Sequence, residues 1–154
     1  MCLDSNVFLA VMVPEATKAP ADDIRGAERL LRAIERGAIT AVTSVMVLAE
    51  VRWVFAREQK PGFDVARATL ESGFGDHLEI LVVDGDIAVA SAGYRRQYYS
   101  KASPFSYIDG IFLATGVRAA ARALFTTDPH LLQITEITAL RPREFPARLS
   151  VLQT

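Results

Sequence analysis

The run Glu79-Ile80-Leu81-Val82-Val83 decides the fold class. It is aliphatic without alternation and stops at Asp84-Gly85-Asp86. An alternating strand keeps one face in water, whereas a continuous apolar run belongs to a strand covered on both faces, as in a parallel sheet between helices. The flanking patterns supply such helices. Upstream, Phe63, Ala66, Leu70 and Phe74 recur at helical spacing, with Gly73 and Gly75 closing the segment. Downstream, an alanine-rich stretch runs from Asp84-Gly85-Asp86 to about Tyr99.

The same alternation extends both ways. Met1–Leu3 reads as a brief strand broken at Asp4-Ser5-Asn6, where a helix starts, and Pro14–Asp22 reads as a loop. From Asp23, the residues Ile24, Ala27, Leu30, Leu31 and Ile34 share one helical face, with Gly37 as the stop. Ala38–Val42 is a β-branched strand. Ser44 is placed to cap the next helix, whose stripe is Val47, Leu48, Val51, Val54 and Phe55. Lys60-Pro61-Gly62 breaks it, which predicts a hairpin with the Phe63 helix. Ser106 opens a helix through Ala121, Ala123–Thr126 is a strand, Asp128-Pro129 starts a short helix, and Ile137–Leu140 is a last strand. Strands alternating with helices predict an α/β fold with a mostly parallel sheet. With 154 residues, no repeat and no linker, residues 1–154 are expected to form a single domain.

Composition narrows the function classes. The chain is 51% hydrophobic and 23% charged, which suits a globular protein. Its one cysteine, Cys2, excludes an internal disulfide or a cysteine-rich zinc site. No signal peptide and no membrane span are expected, so the protein is read as soluble and cytoplasmic. The formal net charge of -1 offers no global basic excess to nucleic acid. Phosphate loops, dinucleotide fingerprints, nucleophile elbows and H-E-x-x-H are all missing from the sequence. His77 and His130 lie far apart beside loops and read as surface or structural residues.

What remains is acidic. Asp4, Glu50, Asp109 and Asp128 stand where the chain leaves a strand or enters a helix. Three have ordinary explanations: Asp4 as a helix cap, Asp109 in a capping box with Ser106, and Asp128 as a cap before Pro129. Glu50 sits at the edge of an apolar stripe, where a carboxylate needs a partner or a metal. Together they suggest more. Ligands of parallel α/β sheets gather beyond the carboxyl ends of the strands. Carboxylates crowded there repel one another unless a cation neutralises them, and a hard divalent ion is the natural counterion.

Four strings in order resemble the motifs of the PIN-domain nucleases. They are Leu3-Asp-Ser-Asn-Val-Phe-Leu9, Ser44-Val-Met-Val-Leu-Ala-Glu50, Ser106-Tyr-Ile-Asp-Gly-Ile-Phe-Leu-Ala-Thr115 and Leu124-Phe-Thr-Thr-Asp-Pro-His130. They cover about residues 1–140, leaving the role of residues 141–154 open, and the length resembles that of VapC-type toxins. The resemblance implies a three-layer α/β/α sandwich with a central parallel sheet and a metal-dependent endoribonuclease. It implies an acidic pocket of Asp4, Glu50, Asp109 and Asp128, catalytic and holding Mg2+ or Mn2+. Ser5, Asn6, Ser106 and Thr126 are expected to support that pocket. The resemblance further implies products with a 5′-phosphate and a 3′-hydroxyl, a homodimer and a cognate antitoxin. Gly110 stands where the family commonly has alanine, a change read as tolerable.

RNA needs cations beside such a pocket. Arg57 falls on nearly the same helical edge as Glu50, and Arg95 and Arg96 lie near Tyr98 and Tyr99; all are candidates for RNA contact, as against solvated helix faces. Arg118 and Arg122 point away from Asp109. Setting the four acids aside leaves 14 acidic residues against 17 basic ones, 14 of them arginine, so the remainder is mildly basic. Two other classes stay open: a non-catalytic PIN-like module binding RNA or protein, and a phosphoacceptor domain. The latter lacks its usual acidic pair after the first strand.

Overall fold

A computed structural model describes residues 1–145 and 147. Five parallel strands form the sheet: β1 (Cys2–Leu3), β2 (Ala41–Ser44), β3 (Leu78–Leu81), β4 (Ala123–Phe125) and β5 (Thr138–Leu140). Their spatial order is β3-β2-β1-β4-β5. Among the described residues six α-helices flank it: α1 (Ser5–Met12), α2 (Ala21–Glu35), α3 (Met46–Arg57), α4 (Phe63–Ser72), α5 (Gly85–Tyr98) and α6 (Tyr107–Arg118).

Strand alternation divides the core into two layers. Leu3, Ala123, Phe125 and Leu140 join the cluster under α1–α4. Cys2 and Leu124, one residue out of phase, join Phe105, Leu113 and Leu131 on the other face. The result is the expected three-layer α/β/α sandwich. The order of the strands places a topological switch at β1, with β2 on one side and β4 on the other. Cys2 aligns with Val42 and with Leu124, so the ends of β1 and β4 come out side by side.

The Glu79–Val83 run is a strand, but an edge one. It begins at Leu78 and ends at Leu81, pairs only with β2, and leaves Val82 69% exposed. Strands covered on both faces are the central β1 and β4, buried at every residue. β2 lies three residues after the expected start, because Gly37 at φ +69° turns the chain out of α2 and residues to Thr40 complete the connection. Ser44 ends β2; the α3 cap position is Val45, although Ser44 Oγ still accepts the Met46 amide at 3.3 Å. α6 stops at Arg118, three residues short of the expected Ala121, and Ala120 takes φ +49° there.

Gly110 is required, not merely tolerated. A Cβ at this position would stand 2.6 Å from the Ser91 carbonyl oxygen of α5. The two helices pack backbone to backbone, and this sets where the first turn of α6 lies. Of the segment expected as an open question, residues 141–145 dock on α2: Pro142 lies against Gly26, Phe145 meets Phe125 edge-on, and Arg141 binds the fully buried Asp23 at 3.2 Å. Residues 148–154 lie outside the described residues.

Candidate active site

β1 ends at Leu3, and Asp4 follows with 3% of its surface exposed. Its backbone amide donates to the Phe125 carbonyl at 3.0 Å, which fixes it at the switch between β1 and β4. Asp4 occupies the cap position of α1, yet its side chain accepts no helix amide, contrary to the capping expectation. It turns inward, because other donors satisfy it. Thr126 Oγ1 donates to Oδ2 at 2.7 Å, Asn6 Nδ2 donates to Oδ2 at 3.0 Å, and Ser5 Oγ donates to Oδ1 at 3.3 Å. Three of the four expected supporting residues therefore hold this one carboxyl. Thr126 also accepts the Asp128 amide at 2.9 Å, tying the fourth acid to the first.

The fourth supporting residue, Ser106, serves Asp109. Its hydroxyl accepts the Asp109 amide at 3.0 Å, while Asp109 Oδ2 accepts the Ser106 amide at 2.6 Å. This is a reciprocal capping box at the start of α6. Asp128 Oδ1 accepts the amides of His130 at 2.6 Å and Leu131 at 3.4 Å, holding the turn that leads into a 3-10 turn at Leu131–Gln133. The expected helix thus starts two residues past Pro129. Glu50 rises from the middle of α3, and its Oε2 is buried with no hydrogen-bond partner among the described residues.

Electrostatics link the four. Burial, then the neighbouring Glu50 carboxylate, push Asp4 up to about 7 against the Thr126 hydroxyl, with Asp109 and Asp128 adding to the rise. Burial raises Glu50, opposed by the Ser5 hydroxyl and reinforced by Asp109 and Asp128. Burial also raises Asp109, opposed by Ser106 and by the nearby His130 and reinforced by Asp128. Asp4, Glu50 and Asp109 thus each feel neighbouring acids as negative charge, which puts the four carboxylates in one neighbourhood. Among the described residues, no three of them are already gathered tightly enough to form a closed metal centre. Capping bonds hold Asp109 and Asp128 at their own helix starts. The donors fit a hard divalent ion nonetheless: they are all carboxylate oxygens, and the buried Glu50 Oε2 has no hydrogen-bond partner among the described residues.

The cationic candidates separate. Arg57 lines a cavity of ≈ 360 Å³ together with Asn6 and Asp128, so it borders the acidic site. Lys18, in the loop between α1 and α2, lines the same cavity. Sequence reading passed over Lys18, which carries no motif and is brought in only by the loop's path. Arg95 stacks between Tyr99 and Tyr107, while Arg96 is exposed. Tyr98 is committed elsewhere: its hydroxyl donates to Glu136 at 2.6 Å and its ring lies on Phe105. Arg118 pairs with Asp84, and Arg122 lines a cavity at the opposite end of the sheet, so both lie away from the acids. His130, read as structural, sits close enough to Asp109 to affect it, with its Nδ1 2.8 Å from Ser103 Oγ. His77 packs against Gly37, remote from the acids. Burial lifts the Cys2 thiol to about 12, which makes it an inert core group.

Known proteins place this arrangement. The PIN domain model matches residues 1–137. No curated relative matches the chain by sequence. Similar solved structures include a toxin–antitoxin complex from Klebsiella pneumoniae, with TM-score 0.60 and 19% identity over 91% of this chain and 95% of that one. FitAcB from Neisseria gonorrhoeae gives 0.61 and 20% over 91% and 96%. VapBC2 from Rickettsia felis, bound to a DNA fragment from its promoter, gives 0.59 and 16% over 90% and 95%. At these identities the structures speak for the fold alone. The family match spans most of the sequence, includes all four acids, and agrees with the sheet order that brings them together: the chain belongs to the PIN domain family.

Proposed function

We propose that the protein is a metal-dependent endoribonuclease and the toxin of a type II toxin–antitoxin pair. One observation carries the reading: a buried, partnerless Glu50 oxygen beside a buried Asp4 whose proton affinity the other acids raise. Such a group is costly as it stands and is relieved by a cation. Glu50, Asp4 and Asp109 would hold Mg2+ or Mn2+, with Asp128 as the fourth ligand. A divalent ion there supplies Lewis acidity and neutralises charge on the scissile phosphate.

The chain's own residues do the rest. Thr126, Asn6 and Ser5 orient Asp4. The Ser106 capping box sets Asp109, and the His130 and Leu131 amides set Asp128. Arg57 and Lys18 border the site and would draw the RNA backbone toward it. Hydrolysis would leave a 5′-phosphate and a 3′-hydroxyl. A cognate antitoxin covering the pocket belongs to the same reading, supported by the toxin–antitoxin complex among the structural neighbours, and a homodimer follows from the family resemblance alone.

Incubation with structured RNA, with and without Mg2+ or Mn2+, tests the reading. Cleavage that needs the metal and disappears in Asp4→Asn is expected. Undiminished cleavage by Asp4→Asn overturns the site. Metal binding without cleavage of any RNA favours a non-catalytic module. A small antitoxin-like reading frame beside the gene supports the toxin assignment.

A further inference from the structure

His130 reads in the sequence as structural, and half of its ring is just that. Its Nδ1 lies 2.8 Å from Ser103 Oγ, which ties the turn after β4 to the loop between α5 and α6. Both partners are fixed from behind. The Ser100 and Ser103 amides each donate to the other residue's carbonyl, at 3.0 and 3.1 Å, and the buried Phe105 anchors the loop. On the other side the His130 amide donates to Asp128 Oδ1 at 2.6 Å, and the fully buried Leu131 follows. The Ser103 contact therefore orients the imidazole from a rigid base.

The other ring nitrogen is left over. His130 is half-buried, and its Nε2 has no hydrogen-bond partner among the described residues. It is not sealed in either, since the buried side-chain atoms without a partner are Glu50 Oε2 and Thr115 Oγ1. Ser103 Oγ has no other acceptor among the described residues, so its hydrogen goes to Nδ1 and the hydrogen of the neutral ring to Nε2. A doubly protonated ring carries that hydrogen too, so the free donor does not depend on the charge of the ring. A tie between loops accounts for Nδ1 and leaves an open N–H unexplained.

The neighbours of that N–H are the acids. Asp128 is bonded to the His130 backbone, and His130 is close enough to Asp109 to oppose the rise that burial causes there. A phosphate seated among carboxylates needs donors for its own oxygens. Arg57 and Lys18 line a cavity with Asn6 and Asp128, and neither Asp109 nor His130 lines it. His130 thus supplies a donor where those two cations do not. We propose that His130 touches the substrate: its Nε2–H donates to a non-bridging oxygen of the RNA phosphate held at the acidic pocket, with Ser103 as the positioning residue that sets the ring. The inference rests on the nuclease reading above.

Two substitutions separate the two halves of the ring. His130→Asn keeps a polar atom at the Nδ1 position, and so the Ser103 contact, with nothing at Nε2. His130→Gln reaches the Nε2 position with an N–H and gives up Ser103. The probe is a labelled RNA oligonucleotide of roughly 12 nucleotides, followed by fluorescence anisotropy with the full chain in calcium. His130→Asn should weaken binding about 10- to 100-fold and lower kcat/KM for magnesium-dependent cleavage to match, at parental Tm and parental Mn2+ affinity. His130→Gln should recover most of the loss, to within about threefold of the parent, and Ser103→Ala should lose about 2- to 10-fold. If His130→Asn matches the parent, or if His130→Gln falls as far as His130→Asn, the ring is only a tie between loops and the proposal falls. Weaker binding by His130→Asn, recovered in His130→Gln, with no cleavage under any metal leaves the contact standing and removes the nuclease. No RNA binding and no cleavage by the parent chain overturns both.

Discussion

Asp4 should make the metal-free protein less stable as the pH rises through neutrality. Its folded pKa of about 7 lies above the ordinary 3.8 of an exposed aspartate. Between those values the folded chain holds a proton that the unfolded chain has lost, so stability falls as pH rises from about 4 and the full cost is present above about 7. At about 1.4 kcal/mol per pH unit, the cost is up to about 4 kcal/mol. Asp4→Asn removes it. With its carbonyl in the place of Oδ2 the asparagine still accepts from Thr126 and Asn6, but its amide faces the Ser5 hydroxyl and loses that hydrogen bond, worth about 1 kcal/mol.

The variant should therefore be more stable than the parent by about 2–3 kcal/mol at pH 8, or about 5–10 °C in Tm for a chain of this size. At pH 4.5, where the parent carboxyl is neutral, that advantage disappears. Thermal unfolding of both proteins in EDTA across this range gives the comparison, and the difference between them isolates Asp4 from the other titrating groups. Saturating magnesium should restore the parent, by about 2.7 kcal/mol at a hundredfold excess over Kd, and should help the variant less. A difference between the two that does not change with pH, or an Asp4→Asn protein less stable at pH 8, refutes the account of a charge confined by burial and by its acidic neighbours.

Thr126→Val removes both the donor to Asp4 and the acceptor of the Asp128 amide; urea unfolding should show a loss of about 1–3 kcal/mol, and the upper end of the pH range over which Asp4 destabilises the fold should move upward, since the hydroxyl now holds the folded-state value down. Gly110→Ala sets a methyl against the Ser91 carbonyl and should cost about 1–3 kcal/mol in the same assay. Ala120→Gly relieves the positive φ that ends α6 and should raise Tm by about 2–4 °C, or about 1 kcal/mol.

The central elements were legible because their signals are local. Apolar periodicity marked α2, α3 and α4, the Asp84-Gly85-Asp86 turn marked the start of α5 and Ser106 that of α6; in the structure Asp84 caps α5, accepting the Ile87 amide at 3.0 Å. Position within the sheet was not legible, because a run of aliphatic residues records average burial and not which neighbours supply it. Hence Glu79–Val83 looked central and is an edge, while the two-residue β1 is the hub. The docking of residues 141–145 was equally silent. Five residues show no period, and their anchor, Asp23, lies 118 positions away from Arg141. Lys18 escaped notice for the same reason: only tertiary placement brings it to the cavity that Asn6 and Asp128 line.

Capping and catalysis were weighed in the sequence as rival explanations of Asp109 and Asp128; the structure shows the capping, and the two roles are compatible. Each carboxylate commits one oxygen to backbone amides, Oδ2 in Asp109 and Oδ1 in Asp128. The bonded oxygen fixes the rotamer, and the second oxygen remains available to a ligand. On the proposed reading, the cap would hold a metal ligand still before the ion arrives, leaving little ordering to do on binding. Asp4 reaches the same end by another route, since side-chain donors rather than helix amides hold it. Glu50 is the exception. It stands within a helix, where no free amide is available, and its buried Oε2 is left unbonded. Among the four it therefore has the most to gain from a cation, and Glu50→Gln should lose more metal affinity than Asp128→Asn, as read by calorimetric titration with Mn2+. Equal or reversed losses would show that preorganisation by the caps, rather than the unsatisfied glutamate, dominates binding.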